Sequence, residues 1–181
     1  MKRWLSWLAM FVMIAGLGLV AATGAQAAPY CGITWGSLPK AGGALSTAPV
    51  TNVRAGQHDC YDRLVMDIGG SSSGFDVRYV DAVRDPGRGD VVALRGGALL
   101  QIVLRNPAYD VNGAPTYSPA NRNELVNVSG WQTFRQVADA GSFEGYTTIG
   151  LGVRAQLPFR VLTLAGPGSG SRVVLDVAHR W

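Results

Sequence analysis

The sequence predicts an all-β fold: a single β-sandwich or open barrel of about seven to nine short, mostly antiparallel strands. Three observations lead there. Apolar and polar residues alternate with period two in several short runs, the spacing of strands that bury one face. Many of the 24 Gly and 9 Pro fall between those runs, where turns are needed. Finally, one pattern, x-Arg-apolar-Val-apolar-Asp-apolar, occurs twice: as Asp62-Arg63-Leu64-Val65-Met66-Asp67-Ile68 and as Ser171-Arg172-Val173-Val174-Leu175-Asp176-Val177.

The repeat also predicts a register. If the two copies pair antiparallel with Val65 opposite Val174, Arg63 faces Asp176 and Arg172 faces Asp67. The same register sets Leu64, Met66, Ile68, Val173, Leu175 and Val177 together on the core face. A one-residue slip would turn that apolar set to solvent, so the hydrophobic pattern itself selects the pairing.

Taken in order, the chain opens with Lys2 and Arg3, an almost purely apolar run over 5–22, and the small residues of Ala25-Gln26-Ala27. This is the pattern of a secretory signal peptide over 1–27, leaving a mature chain that begins at Ala28 and is secreted or held in the cell envelope. The apolar run approaches the ~20 residues that span a bilayer, so an uncleaved anchor is the alternative, and the one membrane attachment expected. Pro29 and Tyr30 stand where a lipid-attachment site needs small residues before its Cys. Removing Lys2 and Arg3 takes two charges from the formal +4, leaving about +2, too weak a field to hold nucleic acid. Every base other than Lys2 and Lys40 is Arg, a bias that suits a GC-rich bacterial genome.

Residues 28–49 read as an irregular arm rich in Gly and Pro, with Trp35 packed on the surface of the domain that follows over 50–181. Cys31 and Cys60 are the only cysteines. In an exported chain such a pair predicts one disulfide, closing a loop of roughly 30 residues worth ~3–4 kcal/mol in the chain-entropy model. Residues 50–55 alternate as a first strand, and 62–68 follow as the second. Gly69-Gly70-Ser71-Ser72-Ser73-Gly74 reads as the turn of a hairpin leading into a strand over 75–80. A short strand is expected at 91–94. The mostly apolar run 98–104 reads as a strand buried on both faces.

Residues 106–123 form a long polar loop with three Pro, the kind that is functional or mobile. Over 124–138 the sequence reads two ways. Trp131, Phe134 and Val137 could make a helical stripe, but Asn127, Ser129, Gly130 and Thr133 are poor helix formers and favour one or two strands. Three more strands are expected at 146–154, 159–164 and 172–178.

The residues His58-Asp59-Cys60-Tyr61-Asp62-Arg63-Leu64-Val65-Met66-Asp67, then Leu157-Pro158-Phe159-Arg160-Val161 and the strand Arg172-Val173-Val174-Leu175-Asp176, resemble the AMIN-domain family, in particular the actinobacterial AMIN-like secreted proteins and lipoproteins. The resemblance covers about 50–179. It implies a β-sandwich used as a cell-envelope targeting module, with peptidoglycan the ligand class of some members. The chain departs from the family's pattern in carrying no amidase domain beside the module and in having Cys31 and Cys60.

No constellation for catalysis stands out. His58-Asp59-x-x-Asp62 sits in a turn and is a weak metal signal, and His179 reads as a satisfied surface residue. Gly70-Ser71-Ser72-Ser73-Gly74 has the Gly-x-Ser-x-Gly spacing, but it reads as a turn leading into a strand and not as the strand-to-helix elbow of a nucleophile, and there is no His-Glu-x-x-His, so no catalytic residue, metal or cofactor is assigned. A non-catalytic binding module needs less. Tyr109, Tyr117 and Trp131 could stack on sugar rings, with Asn112 and Asn121, beside Asn106 and Asn123, as hydrogen-bonding partners. The competing reading makes Trp131 core and packs the tyrosines down on their own loop. The expected partner is peptidoglycan or another envelope component. The alternatives are a protein partner taken along an exposed strand edge, and a hydrolase of unrecognised type.

Overall fold

The computed structural model describes residues 28–71 and 74–181; the signal-peptide reading of 1–27 lies outside the described residues. After a single 3₁₀ turn at Tyr30–Gly32 come eleven strands among the described residues. They are β1 (Lys40–Gly42), β2 (Val50–Gln57), β3 (Tyr61–Ile68), β4 (Phe75–Val80), β5 (Val83–Arg84), β6 (Val91–Val92), β7 (Ala98–Leu104), β8 (Phe134–Phe143), β9 (Tyr146–Val153), β10 (Phe159–Ala165) and β11 (Ser171–Ala178). Eight are long and three, β1, β5 and β6, span two or three residues. They form a five-stranded sheet in the order β1-β4-β7-β9-β8, a four-stranded sheet in the order β10-β11-β3-β2, and the β5-β6 ribbon. All pairings are antiparallel.

Alternation makes this a sandwich. Leu64, Met66, Val173 and Leu175 of one sheet meet Val77, Leu100, Ile102, Ile149 and Leu151 of the other in a single buried cluster. Burying such side chains stabilises by about 1.5–3 kcal/mol each. The edge strands β2 and β8 both carry bulges, which bend an edge away from unwanted pairing.

The β3–β11 register is the one the repeat predicts: Val65 opposite Val174, Arg63 opposite Asp176, Arg172 opposite Asp67. One of the two expected ion pairs forms. Arg63 donates to Asp176 through Nε at 2.6 Å and Nη2 at 2.9 Å. The other does not. Asp67 has arginines on both flanking strands, and Arg54 of β2 takes it with two hydrogen bonds at 2.9 and 3.0 Å. Arg172 turns instead to the Ala165 carbonyl.

Four expectations need correction. First, β3 and β4 do not form a hairpin; they lie in different sheets. The Gly/Ser connection carries the chain across the sandwich, passing so near the arm that a Cβ at Gly74 would collide with the Ala44 carbonyl. Second, β7 is buried on one face only: Leu100, Ile102 and Leu104 are inaccessible, while Leu99, Gln101 and Val103 are half-buried. On the outer face of the same sheet, Gly152 of β9 lies against the Arg95 backbone, and any side chain there would displace it. Third, 124–133 holds turns and bends, and the strand starts only at Phe134. Fourth, residues 28–49 are not wholly irregular, because Lys40–Gly42 pairs with β4.

The arm is pinned by the Cys31–Cys60 disulfide, with Cα atoms 6.2 Å apart, and by a bond from the Phe159 N–H to the Gly36 carbonyl. Its Trp35 lies 5.6 Å from the Tyr61 ring and 4.3 Å from the Arg160 guanidinium. Among the described residues no helix is long and apolar enough to cross a membrane.

Candidate functional site

One end of the sandwich is closed by three segments far apart in sequence: the arm around Leu45, the loop after β7, and the β8–β9 turn. The loop folds back on itself as a tongue. Asp110 organises it, because its Oδ1 accepts the N–H groups of Asn112 and Ala114 at 2.8 and 2.9 Å, a short polar side chain replacing backbone partners in a turn. Gly113, at φ +79°, supplies the left-handed residue the turn requires. Tyr109 and Pro115 form a bridge across the tongue. Three side-chain bonds tie it down: the Gly145 N–H to the Tyr109 hydroxyl, the Ala108 N–H to Ser142 Oγ, and Thr116 Oγ1 to the Val50 carbonyl.

A groove of about 500 Å³ runs between tongue and arm, lined by Leu45, Ser46, Thr47, Tyr109, Asp110 and Val111 among others. Leu45 is 55% and Val111 92% exposed. Apolar side chains held in water beside hydroxyls and a carboxylate are the usual composition of a ligand groove.

The five residues that the sequence nominated are not brought together. Tyr109 lines this groove, and Asn112 sits on the exposed tip of the tongue between Val111 and Gly113. Tyr117 is half-buried against the core, and burial, aided by the charge of Asp139, pushes its phenol up to about 12. Trp131 is half-buried toward the opposite end and stacks on Phe134 at 5.9 Å. Asn121 is exposed and accepts the Asn123 N–H.

Asn121 lines a separate open cleft of about 890 Å³. The charges there pair with one another: Arg95 with Glu124 at 2.6 Å, Arg122 with Asp139 at 2.8 Å, and Arg88 with both Asp85 and Asp90 at 3.2 Å. Buried Gln136 joins the two walls, accepting the Arg95 N–H and donating to the Asn123 carbonyl. Asn106 is buried and donates to the Ala48 carbonyl, so it faces inward.

The two histidines also find places. His179 is 4% exposed rather than on the surface. Its ring nitrogens lie 2.9 Å from Thr133 Oγ1 and 2.9 Å from the His58 carbonyl. Asp62 is buried and accepts the N–H groups of Thr133 and Phe134, while the His58 ring stacks on Tyr61. Among the described residues no three His, Cys, Asp or Glu side chains gather as a metal site.

Sequence reasoning missed Leu45, Ser46 and Thr47, the arm's side of the groove. The one signal was an apolar residue standing alone in Gly43-Ala44-Leu45-Ser46-Thr47, outside any alternating run.

Fold and site together define a two-sheet antiparallel β-sandwich with open grooves at its surface. The family model for the AMIN-like domain matches residues 48–179, and the chain belongs to that family. No match was found among curated proteins or among solved structures. The family suggests a cell-envelope-associated module, and the disulfide is consistent with a location outside the cytoplasm.

Proposed function

We propose that this domain is a non-catalytic binding module of the cell envelope, that its ligand is peptidoglycan or another envelope glycan, and that a sugar unit sits in the Tyr109 groove. The observation that carries this reading is the pairing of the Tyr109 ring with exposed Leu45 and Val111 beside Ser46, Thr47 and Asp110. A pyranose has an apolar C–H face and a rim of hydroxyls. The first would lie on Tyr109, Leu45 and Val111. The second would meet Ser46, Thr47 and Asp110, whose second carboxylate oxygen is available once Oδ1 has taken the two backbone N–H groups. Asn112, at the tip of the tongue, would reach the next unit of the polymer.

Co-sedimentation of the mature protein with purified peptidoglycan tests this. Wild type should pellet, while Leu45→Ser and Val111→Ser, both at exposed positions, should leave the fold intact and weaken binding. Wild type that stays in solution, or variants that pellet equally, would refute the groove. The same reading makes 1–27 a cleaved signal, so N-terminal sequencing of the exported protein should begin at Ala28.

A second reading is a protein partner added to the β10 edge, where Thr163, Leu164 and Ala165 are exposed. It predicts that a proline at Thr163 abolishes capture of the partner and leaves glycan binding unchanged.

A further inference from the structure

The opposite end of the sandwich carries a second groove with different chemistry. It has a volume of about 560 Å³ and is lined by Gln132, Arg154, Leu157, His179, Arg180 and Trp181 among others. Trp181 is 68% exposed, and its indole N–H donates to the Gln156 carbonyl at 3.0 Å. That bond fixes one edge of the ring and leaves most of the indole in solvent.

The cations here are held but not neutralised. Arg154 donates to the His179 carbonyl at 2.5 Å. Arg180 lies 5.1 Å from the centre of the Tyr30 ring. Nearby, Arg135 donates to the carbonyls of Trp131, Phe134 and Gln132. Seven other arginines pair with an Asp or Glu. Six of the described arginines have no such partner: Arg84, Arg105 and Arg172, each bonded to a backbone carbonyl elsewhere, and Arg135, Arg154 and Arg180, which gather at this end. Carbonyl and ring contacts orient a guanidinium while keeping its full charge for an incoming anion.

We propose that this groove binds an acidic sugar, a pyranose carrying a carboxylate. Arg154 and Arg180 would grip the carboxylate, and the apolar face of the ring would stack on Trp181. That the ligand is a sugar rests on the envelope-glycan reading above; that it is an anion rests on the arginines alone. The two grooves are at opposite ends of the domain, so each can fail without the other.

The test follows the indole N–H signal of Trp181 by nuclear magnetic resonance in ¹⁵N-labelled mature protein, assigned by its loss in Trp181→Phe. The probes are N-acetylmuramic acid, glucuronic acid, N-acetylglucosamine and inorganic phosphate. The acidic sugars should move the signal with an affinity that falls as salt rises, while N-acetylglucosamine should not move it at equal concentration. Arg180→Gln should weaken the acidic sugars about tenfold, the worth of one charge-assisted hydrogen bond, and Arg154→Lys should weaken them less. Val111→Ser should change nothing here. Several outcomes would overturn the proposal. These are an equal response to the neutral sugar, saturation by phosphate as tight as by the acidic sugars, an unchanged affinity in Arg180→Gln, or no shift at about 20 mM, where sites of millimolar affinity are filled.

Discussion

Arg63 and Arg160 on the outer face of the four-stranded sheet, and Arg154 and Arg180 at the end of the sandwich, are one residue type in two electrostatic settings. The first two share Asp176, which is completely buried, at 2.6 and 2.8 Å. A buried carboxylate is tolerable only when it is fully paired, and here two guanidiniums do this. The arm seals the arrangement. Trp35 lies over Arg160, and the Tyr61 ring is 5.3 Å from Arg63 and 5.5 Å from Arg160. The second pair has no carboxylate, and the arm touches it only through the Tyr30 ring, 5.1 Å from Arg180. What separates the settings is the buried carboxylate: around Asp176 arginine is committed to structure, and at the end of the sandwich arginine has only carbonyl and ring contacts.

The largest effect should come from removing the shared carboxylate. Asp176→Ala leaves two cations facing each other beneath aromatic rings and should cost about 3–5 kcal/mol, the usual loss when a buried ion pair is broken from one side. Urea unfolding of the domain reads this directly. A loss below about 1 kcal/mol would mean that the site behaves as an ordinary surface pair, and the comparison would collapse. Arg180→Gln should change stability by less than about 0.5 kcal/mol in the same assay, as surface substitutions do.

Releasing the arm comes next. The Cys31–Cys60 bond spans 29 residues in sequence, and the double Cys→Ser variant should lose about 3 kcal/mol through the entropy regained by the unfolded chain. It should also sharpen the comparison, because without the bond Trp35 holds Arg160 less firmly and the covered arginines become more like the open ones. Near-ultraviolet circular dichroism should show a weakened aromatic signal. An unchanged spectrum would mean that the Gly36 and β1 contacts hold the arm without help.

The covered region was legible in the sequence and the open ones were not. Period-two alternation plus charge placed β3 against β11 to the residue, because slipping the register would have exposed six apolar side chains at once. Nothing so strong fixed the connection after β3. A Gly/Ser segment suits a hairpin and a sheet-to-sheet crossing equally, and long-range packing decides between them. The Arg172–Asp67 pair failed for a similar reason: one strand's pattern does not say which of two flanking arginines reaches the acid first. β1 was invisible because Lys40-Ala41-Gly42 is too short to carry a period. The grooves were harder still. The Tyr109 groove joins 45–47, 107–113 and Gly145, and the Arg154 groove joins Gln132, 154–157 and 179–181. Spacing along one chain cannot reveal such meetings. Tyr109, an aromatic residue in a long polar loop, lines the first groove; Tyr117 of the same loop and Trp131 of the stretch after it pack against the core.

The smallest effect is also the finest probe of what the arm contributes. Arg54–Asp67 is geometrically as good as Arg63–Asp176: each is bidentate, each crosses two neighbouring strands, and both lie on the same outer face. They differ in exposure. The Arg54 and Asp67 side chains are 49% and 22% exposed, against 26% and 0% for Arg63 and Asp176. Two double-mutant cycles to alanine therefore compare two bidentate cross-strand pairs at two depths, one directly opposite and one diagonal. The exposed pair should couple by about 0.2–1 kcal/mol and lose most of that in high salt. The covered pair should couple more strongly and keep its coupling as salt rises, because water and ions are kept from it by Trp35 and Tyr61. Arg160 complicates the second cycle, since it retains Asp176 when Arg63 is gone and lowers the apparent coupling. Repeating that cycle in an Arg160→Met background removes the competitor, and the coupling should then increase. If the covered and exposed pairs couple equally in that background and respond alike to salt, the arm contributes no shielding. The contrast between the two sets of arginines would then rest on the position of Asp176 alone.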